Sequence, residues 1–154
     1  MSYFPTILDA MVSTIQALTP ARYPTQPFVV PDRDEGPVTT LVDRIGAQSR
    51  IVEIRLDLGP GDDGAAGVSD RHRADISVSI GYSTADRMRW HDVARAQDCE
   101  AVQGALRDPS WWPVGTYSLE VLAPATHVEI DDETGREVGR IVTIPVTLRY
   151  ESEP

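Results

Sequence analysis

Apolar side chains recur at spacings of three and four over Phe4, Ile7, Leu8, Met11, Ile15 and Leu18. That is one stripe of an amphipathic helix, which Pro20 ends. From Arg50 to Leu58 the period falls to two. Val52, Ile54, Leu56 and Leu58 share one face, and Glu53, Arg55 and Asp57 the other. Arg73 to Tyr82 repeats the pattern through Ala74, Ile76, Val78, Ile80 and Tyr82. Both segments are expected to be half-buried antiparallel strands. A second helix is expected from about Thr84 to Leu106, capped by Ser83 or Thr84 with Asp86 in its first turn. Met88, His91 or Asp92, Ala94 or Arg95, Cys99, Val102 and Leu106 trace its weaker stripe, and Pro109 ends it.

Three further strands follow. Tyr117, Leu119 and Val121 alternate, Thr126 to Ile130 forms a short strand, and Ile141 to Tyr150 a long one. In the last, Val142, Ile144, Val146, Leu148 and Tyr150 face inward. Pro145 lacks an N–H, so this strand is expected at a sheet edge or with a bulge. Asp131 to Gly139 reads as a turn, with Gly135 at positive φ. The order is α-β-β-α-β-β-β: an α+β fold, one antiparallel or mixed sheet with two helices packed on one face. No internal repeat or low-complexity tract interrupts the single domain, 1–154.

Two segments are poor in core residues. The 21–46 stretch is a proline-rich excursion, with Pro24, Pro27, Pro31 and Pro37 and an acidic middle of Asp32, Asp34 and Glu35. A connection this long in a small domain is expected to be an interaction arm. The 59–71 stretch is a glycine-rich hairpin tip carrying Asp62 and Asp63, expected to be mobile in the isolated subunit. With Trp111 and Trp112, these five acidic residues are the interface candidates. For the tryptophans two readings stand: one ring anchors the core and its neighbour a partner, or both cover the end of the sheet.

Composition removes several function classes. The 154 residues carry a net charge of −10, and all 14 cations are arginines scattered along the chain. Phosphate neutralisation needs clustered cations, so specific nucleic-acid binding is not expected. No apolar run suits a membrane span, and neither a signal peptide nor a membrane contact is expected. One cysteine, Cys99, allows no internal disulfide and fits a reducing cytoplasm.

Candidate chemistry is sparse. The glycines from Gly59 to Gly64 lack the Lys-Ser/Thr ending of a phosphate loop, and their aspartates repel phosphate. Asp131-Asp132-Glu133-Thr134-Gly135 clusters hard oxygens but lacks the register of a calcium loop. His72, His91 and His127 fall on separate elements. His91 and Cys99 share a helix face at a separation of about 12 Å, too far for one metal. No catalytic residue, metal ligand or cofactor site is expected.

The ordered elements, with Asp131-Asp132-Glu133-Thr134-Gly135 ahead of the Arg140 to Tyr150 strand, resemble tail terminator proteins of long-tailed bacteriophages. The resemblance spans most of the chain as an order of elements. It implies a virion protein of the tail and neck, assembled in the host cytoplasm. Such a protein forms a ring, usually hexameric, that stops tail-tube polymerisation and joins tail to head. The implied partners are further copies of itself, the major tail tube protein and the head–tail connector or stopper protein. A closed ring uses heterologous contacts, for which the two long segments are natural arms. An acidic subunit also suits a channel through which DNA slides. The alternatives are another neck ring, such as a connector or adaptor, or a small acidic cellular protein. The latter includes an enzyme whose Arg73, Asp75 and His91 meet across an interface.

Overall fold

A computed structural model describes residues 3–31, 50–62, 71–83 and 89–151. Helix α1 is Phe4–Gln16, with proline in its first turn where no N–H partner is needed. Strand β1 is Phe28–Val29, β2 is Arg50–Asp62 and β3 is Arg71–Ser83. Helix α2, Asp92–Arg107, and a short 3₁₀ turn over Pro109–Trp111 lead to β4, Thr116–Val121, β5, Ala125–Ile130, and β6, Glu137–Glu151. The fold is α+β, as the pattern implied, with one curled mixed sheet of six strands.

Sheet order is β1-β2-β3-β6-β4, and β5 also pairs with β6. Among the described residues only the pairing of β1 with β2 is parallel. The registers align Val52, Ile80 and Val142 in one row, and Ile54, Val78 and Ile144 in the next. These rows form the inner face, closed by Phe4, Ile7, Leu8, Met11 and Ile15 of α1 and by Val102 and Leu106 of α2. Tyr150 stacks on Phe4 with ring centroids 5.6 Å apart, tying the last strand to the first helix.

Four expectations need correction. First, β6 is an interior strand, flanked by β3 on one side and by β4 and β5 on the other. Pro145 is tolerated because it sits where β4 stops, at Val121↔Val146, and before β5 starts, at Ala125↔Thr143. Its carbonyl accepts from Leu122 N–H at 2.9 Å, so its missing N–H faces this corner and not a ladder partner.

Second, α2 begins at Asp92, not near Thr84. His91 is the N-cap, and its Nδ1 accepts from Ala94 N–H at 3.2 Å. Arg89 and Trp90 precede it in a turn, and Thr84 and Asp86 lie outside the described residues.

Third, Leu58 does not share a face with Val52 and Ile54. A bulge between Leu56 and Leu58 sets Leu58 opposite Asp75, on the outer face, where it is 67% exposed. Leu56 stays in the inner row opposite Ile76 but is exposed.

Fourth, the 21–46 excursion is not wholly an arm. Phe28 is buried and pairs with Arg50, adding a short parallel strand to the sheet. The hairpin tip is also shorter than 59–71, since β2 runs on to Asp62 and β3 starts at Arg71. Residues 32–46 and 63–70, with the mobility expected of the tip, lie outside the described residues.

Candidate functional site

The deepest polar cluster centres on Arg50, which is fully buried. Its Nε donates to Asp98 Oδ2 at 2.6 Å, and its Nη1 to the carbonyls of Gln26 at 2.6 Å and Tyr23 at 3.2 Å. Nη2 donates to the Arg22 carbonyl. The guanidinium lies over the Trp90 ring, 4.7 Å from its centroid. Tyr82 hydroxyl donates to the same Asp98 oxygen at 2.8 Å. This cluster pins the 22–26 turn between sheet and helix.

Burial sets its titration. Desolvation pushes the Asp98 carboxyl above its ordinary value, although hydrogen bonds from Arg50 and Tyr82 pull the other way. Asp98 Oδ1 has no hydrogen-bond partner among the described residues. Tyr82 is raised well above the usual phenol range by burial first and the Asp98 charge second. Burial likewise raises the Cys99 thiol, which favours its protonated form. The cluster has the chemistry of a structural clamp: its cation is spent on main-chain carbonyls and a carboxylate.

Beside it opens a cavity of about 260 Å³, lined by Tyr82, Trp90, His91, Arg95, Glu137 and Arg140 among others. Its cations are engaged. Arg95 donates to the Trp90 carbonyl at 2.5 Å, and Arg140 to Glu137 at 2.5 Å. Arg95 titrates below its usual value, from burial and then from neighbouring Arg140. Among the described residues no three His, Cys, Asp or Glu side chains form a set that could hold a metal. No described helix is long and apolar enough to cross a membrane.

The sheet's two edges differ from this inward-looking chemistry. Beyond Arg50 and Ile51, β2 has no partner on its outer side among the described residues. There it exposes Leu56 and Leu58. On the opposite side β5, like β4, pairs with β6 alone among the described residues, and it exposes Val128 and Ile130. Each edge carries a side-chain pair two residues apart: the Arg55 Nε ion pair with Asp57 Oδ1 at 2.9 Å, and the hydrogen bond between His127 Nε2 and Glu129 Oε2 at 3.2 Å.

The sequence candidates are scattered. Trp111 and Trp112 are half-buried against the core. Their indole N–H groups donate to the Ala105 and Leu106 carbonyls at 2.7 and 3.2 Å, closing the C-terminus of α2. Asp62 ends β2, while Asp32, Asp34, Glu35 and Asp63 lie outside the described residues. Arg73 and Asp75 pair with each other at 3.3 Å near the start of β3, whereas His91 follows its far end. Within one subunit the three do not meet.

Sequence reading missed Arg50, Asp98 and the edge pairs. Asp98 was findable: Ala94, Asp98, Val102 and Leu106 recur every four residues, so an acid sits on the buried stripe of α2 and needs a partner. No protein-family model matches the chain, and no curated protein matches its sequence.

Proposed function

We propose that this chain is the subunit of a closed ring, six-membered in its simplest form, that caps the tail tube of a long-tailed bacteriophage. It ends tube polymerisation and joins tail to head, touching further copies of itself, the major tail tube protein and the head–tail connector or stopper. The single observation that carries the ring is the pair of unlike edges, β2 beyond Ile51 and β5, which lie on opposite sides of one sheet and have no outer partner among the described residues. A ring needs two different patches that fit each other, and unlike edges supply them. Exposed Leu56, Leu58, Val128 and Ile130 give both edges apolar area to bury. The tail assignment rests on the order of elements, and the net charge of −10 suits a channel for DNA that must not adhere.

The test is electron microscopy of particles made without the protein and with it restored. Tubes of uncontrolled length beside unjoined heads are expected in its absence. Tubes of normal length with unjoined heads assign the chain to another neck ring. Joined particles of normal form overturn the reading.

A further inference from the structure

We infer that the subunits join edge to edge through one defined register, β5 of one copy pairing antiparallel with β2 of the next. The inference takes its occupant, a second copy, from the ring reading above.

Strand direction comes first. Antiparallel pairing of β2 with β3, β3 with β6 and β6 with β5 makes β5 run opposite to β2. Copies related by rotation about an axis along the strands therefore present β5 to β2 antiparallel at every seam, and the sheet continues around the ring.

Backbone alternation comes next. The Pro145 carbonyl points away from β3, toward Leu122 N–H. In an antiparallel ladder opposed pairs alternate between bonded and non-bonded. Pro145↔Ser77 is then non-bonded, and Ser77 turns its N–H and C=O to Arg55 on β2. Ile54 and Leu56 consequently turn theirs to the side of β2 on which no described residue pairs with them. On the other flank Thr143 and Ile141 face Ala125 and His127, so Val128 and Ile130 turn theirs outward. Only registers that oppose Ile54 or Leu56 to Thr126, Val128 or Ile130 can form a bonded ladder.

Charge selects among these. With Leu56 opposite Val128, Ile54 meets Ile130, Arg55 meets Glu129 and Asp57 meets His127. The apolar residues prolong the inner face, while on the outer face Arg55 opposes the Glu129 carboxylate and Asp57 opposes the His127 ring, a hydrogen-bonding partner. A slip of two residues in one direction sets Asp57 against Glu129, and in the other sets Arg55 against His127, so that Arg55 loses its carboxylate partner. A slip of one residue sends the apolar side chains to the wrong face. β5 also lacks the lysines and proline that usually guard an exposed edge.

The test mixes two full-length chains in a Cys99→Ser background, one carrying Leu56→Cys and the other Val128→Cys, under mild oxidation. A covalent dimer that forms on mixing is expected, since an opposed pair meets disulfide geometry. The pair Leu56→Cys with His127→Cys, on opposite faces, is expected to give at least tenfold less. In a second arm, Arg55→Glu weakens association, and Glu129→Arg in the same chain restores it at an unchanged melting temperature. Both positions are exposed enough to leave folding intact. Rings in micrographs without the in-register cross-link or the charge rescue overturn the seam and leave the ring reading standing. Absence of cross-link, rescue and rings at the highest soluble concentration overturns both.

Discussion

Asp98 Oδ2 lies 2.6 Å from Arg50 Nε, and neither side chain reaches solvent. Removing one partner of such a pair strands a buried charge, which typically costs about 3–5 kcal/mol. Asp98→Ala is therefore expected to lose that much in urea denaturation, against a typical total of about 5–15 kcal/mol. Asp98→Asn keeps an acceptor and loses less. Arg50→Met loses at least as much as Asp98→Ala, because it also strands the carbonyls of Arg22, Tyr23 and Gln26. A loss under about 1 kcal/mol for Asp98→Ala, the scale of an exposed pair, contradicts the clamp.

Tyr82 gives the same cluster a pH signature. Its folded value is raised, by burial and then by Asp98, so the folded state holds the phenolic proton more tightly than the unfolded chain. The stability linked to that proton is intact below about pH 10, the ordinary phenol value. It drains away as pH rises from there through the folded value. Tyr82→Phe cannot ionise. It is expected to be less stable near neutrality by about 1.5–3 kcal/mol for a lost bond to a charged group, with a flatter alkaline decline. Melting curves from neutral to strongly alkaline pH check this, and parallel declines refute it.

His91 is the N-cap of α2. Its Nδ1 accepts from Ala94 N–H at the first turn of α2. Replacing a cap by alanine costs about 0.5–2 kcal/mol, whereas a side chain that still accepts keeps most of it. His91→Ala is expected to lower stability within that range, and His91→Asp to restore it. Equal effects of the two substitutions contradict the cap.

The legible parts of this fold were those governed by period alone. From Ala74 to Tyr82 and from Val142 to Tyr150, every apolar alternate is buried, because both strands lie inside the sheet under helices. Alternation says nothing about a bulge, so Leu58 was placed with Val52 although an extra residue at Asp57 turns it outward. Pro145 pointed to a sheet edge or a bulge, yet it sits in an interior strand in regular register with β3. It could not reveal that two short strands share one side of β6 and leave a gap between them. The start of α2 was misplaced because Met88 prolongs the apolar spacing, and histidine is an uncommon cap. The Arg50 cluster depends on partners 24 to 48 residues away, a separation that no local pattern encodes. The edge pairs were visible as charges, but their meaning depends on which strands end the sheet.

Gly115 carries a constraint visible only in three dimensions. Its φ is +93°, a conformation that L side chains rarely adopt, and its carbonyl accepts from Glu151 N–H at 2.8 Å. A Cβ placed there would lie 2.1 Å from the Tyr3 ring, which packs over this turn ahead of α1. Two costs therefore combine in Gly115→Ala: backbone strain of about 1–3 kcal/mol, and displacement of Tyr3 from its seat against the core. The two are separable. In Tyr3→Ala the ring is gone, so adding Gly115→Ala should cost only the backbone share, and the pair of substitutions should be less than additive. Full additivity in a urea double-mutant cycle would mean that Tyr3 does not rest on Gly115. The sign of the coupling thus tests whether α1 is fastened to the β4 turn at this point.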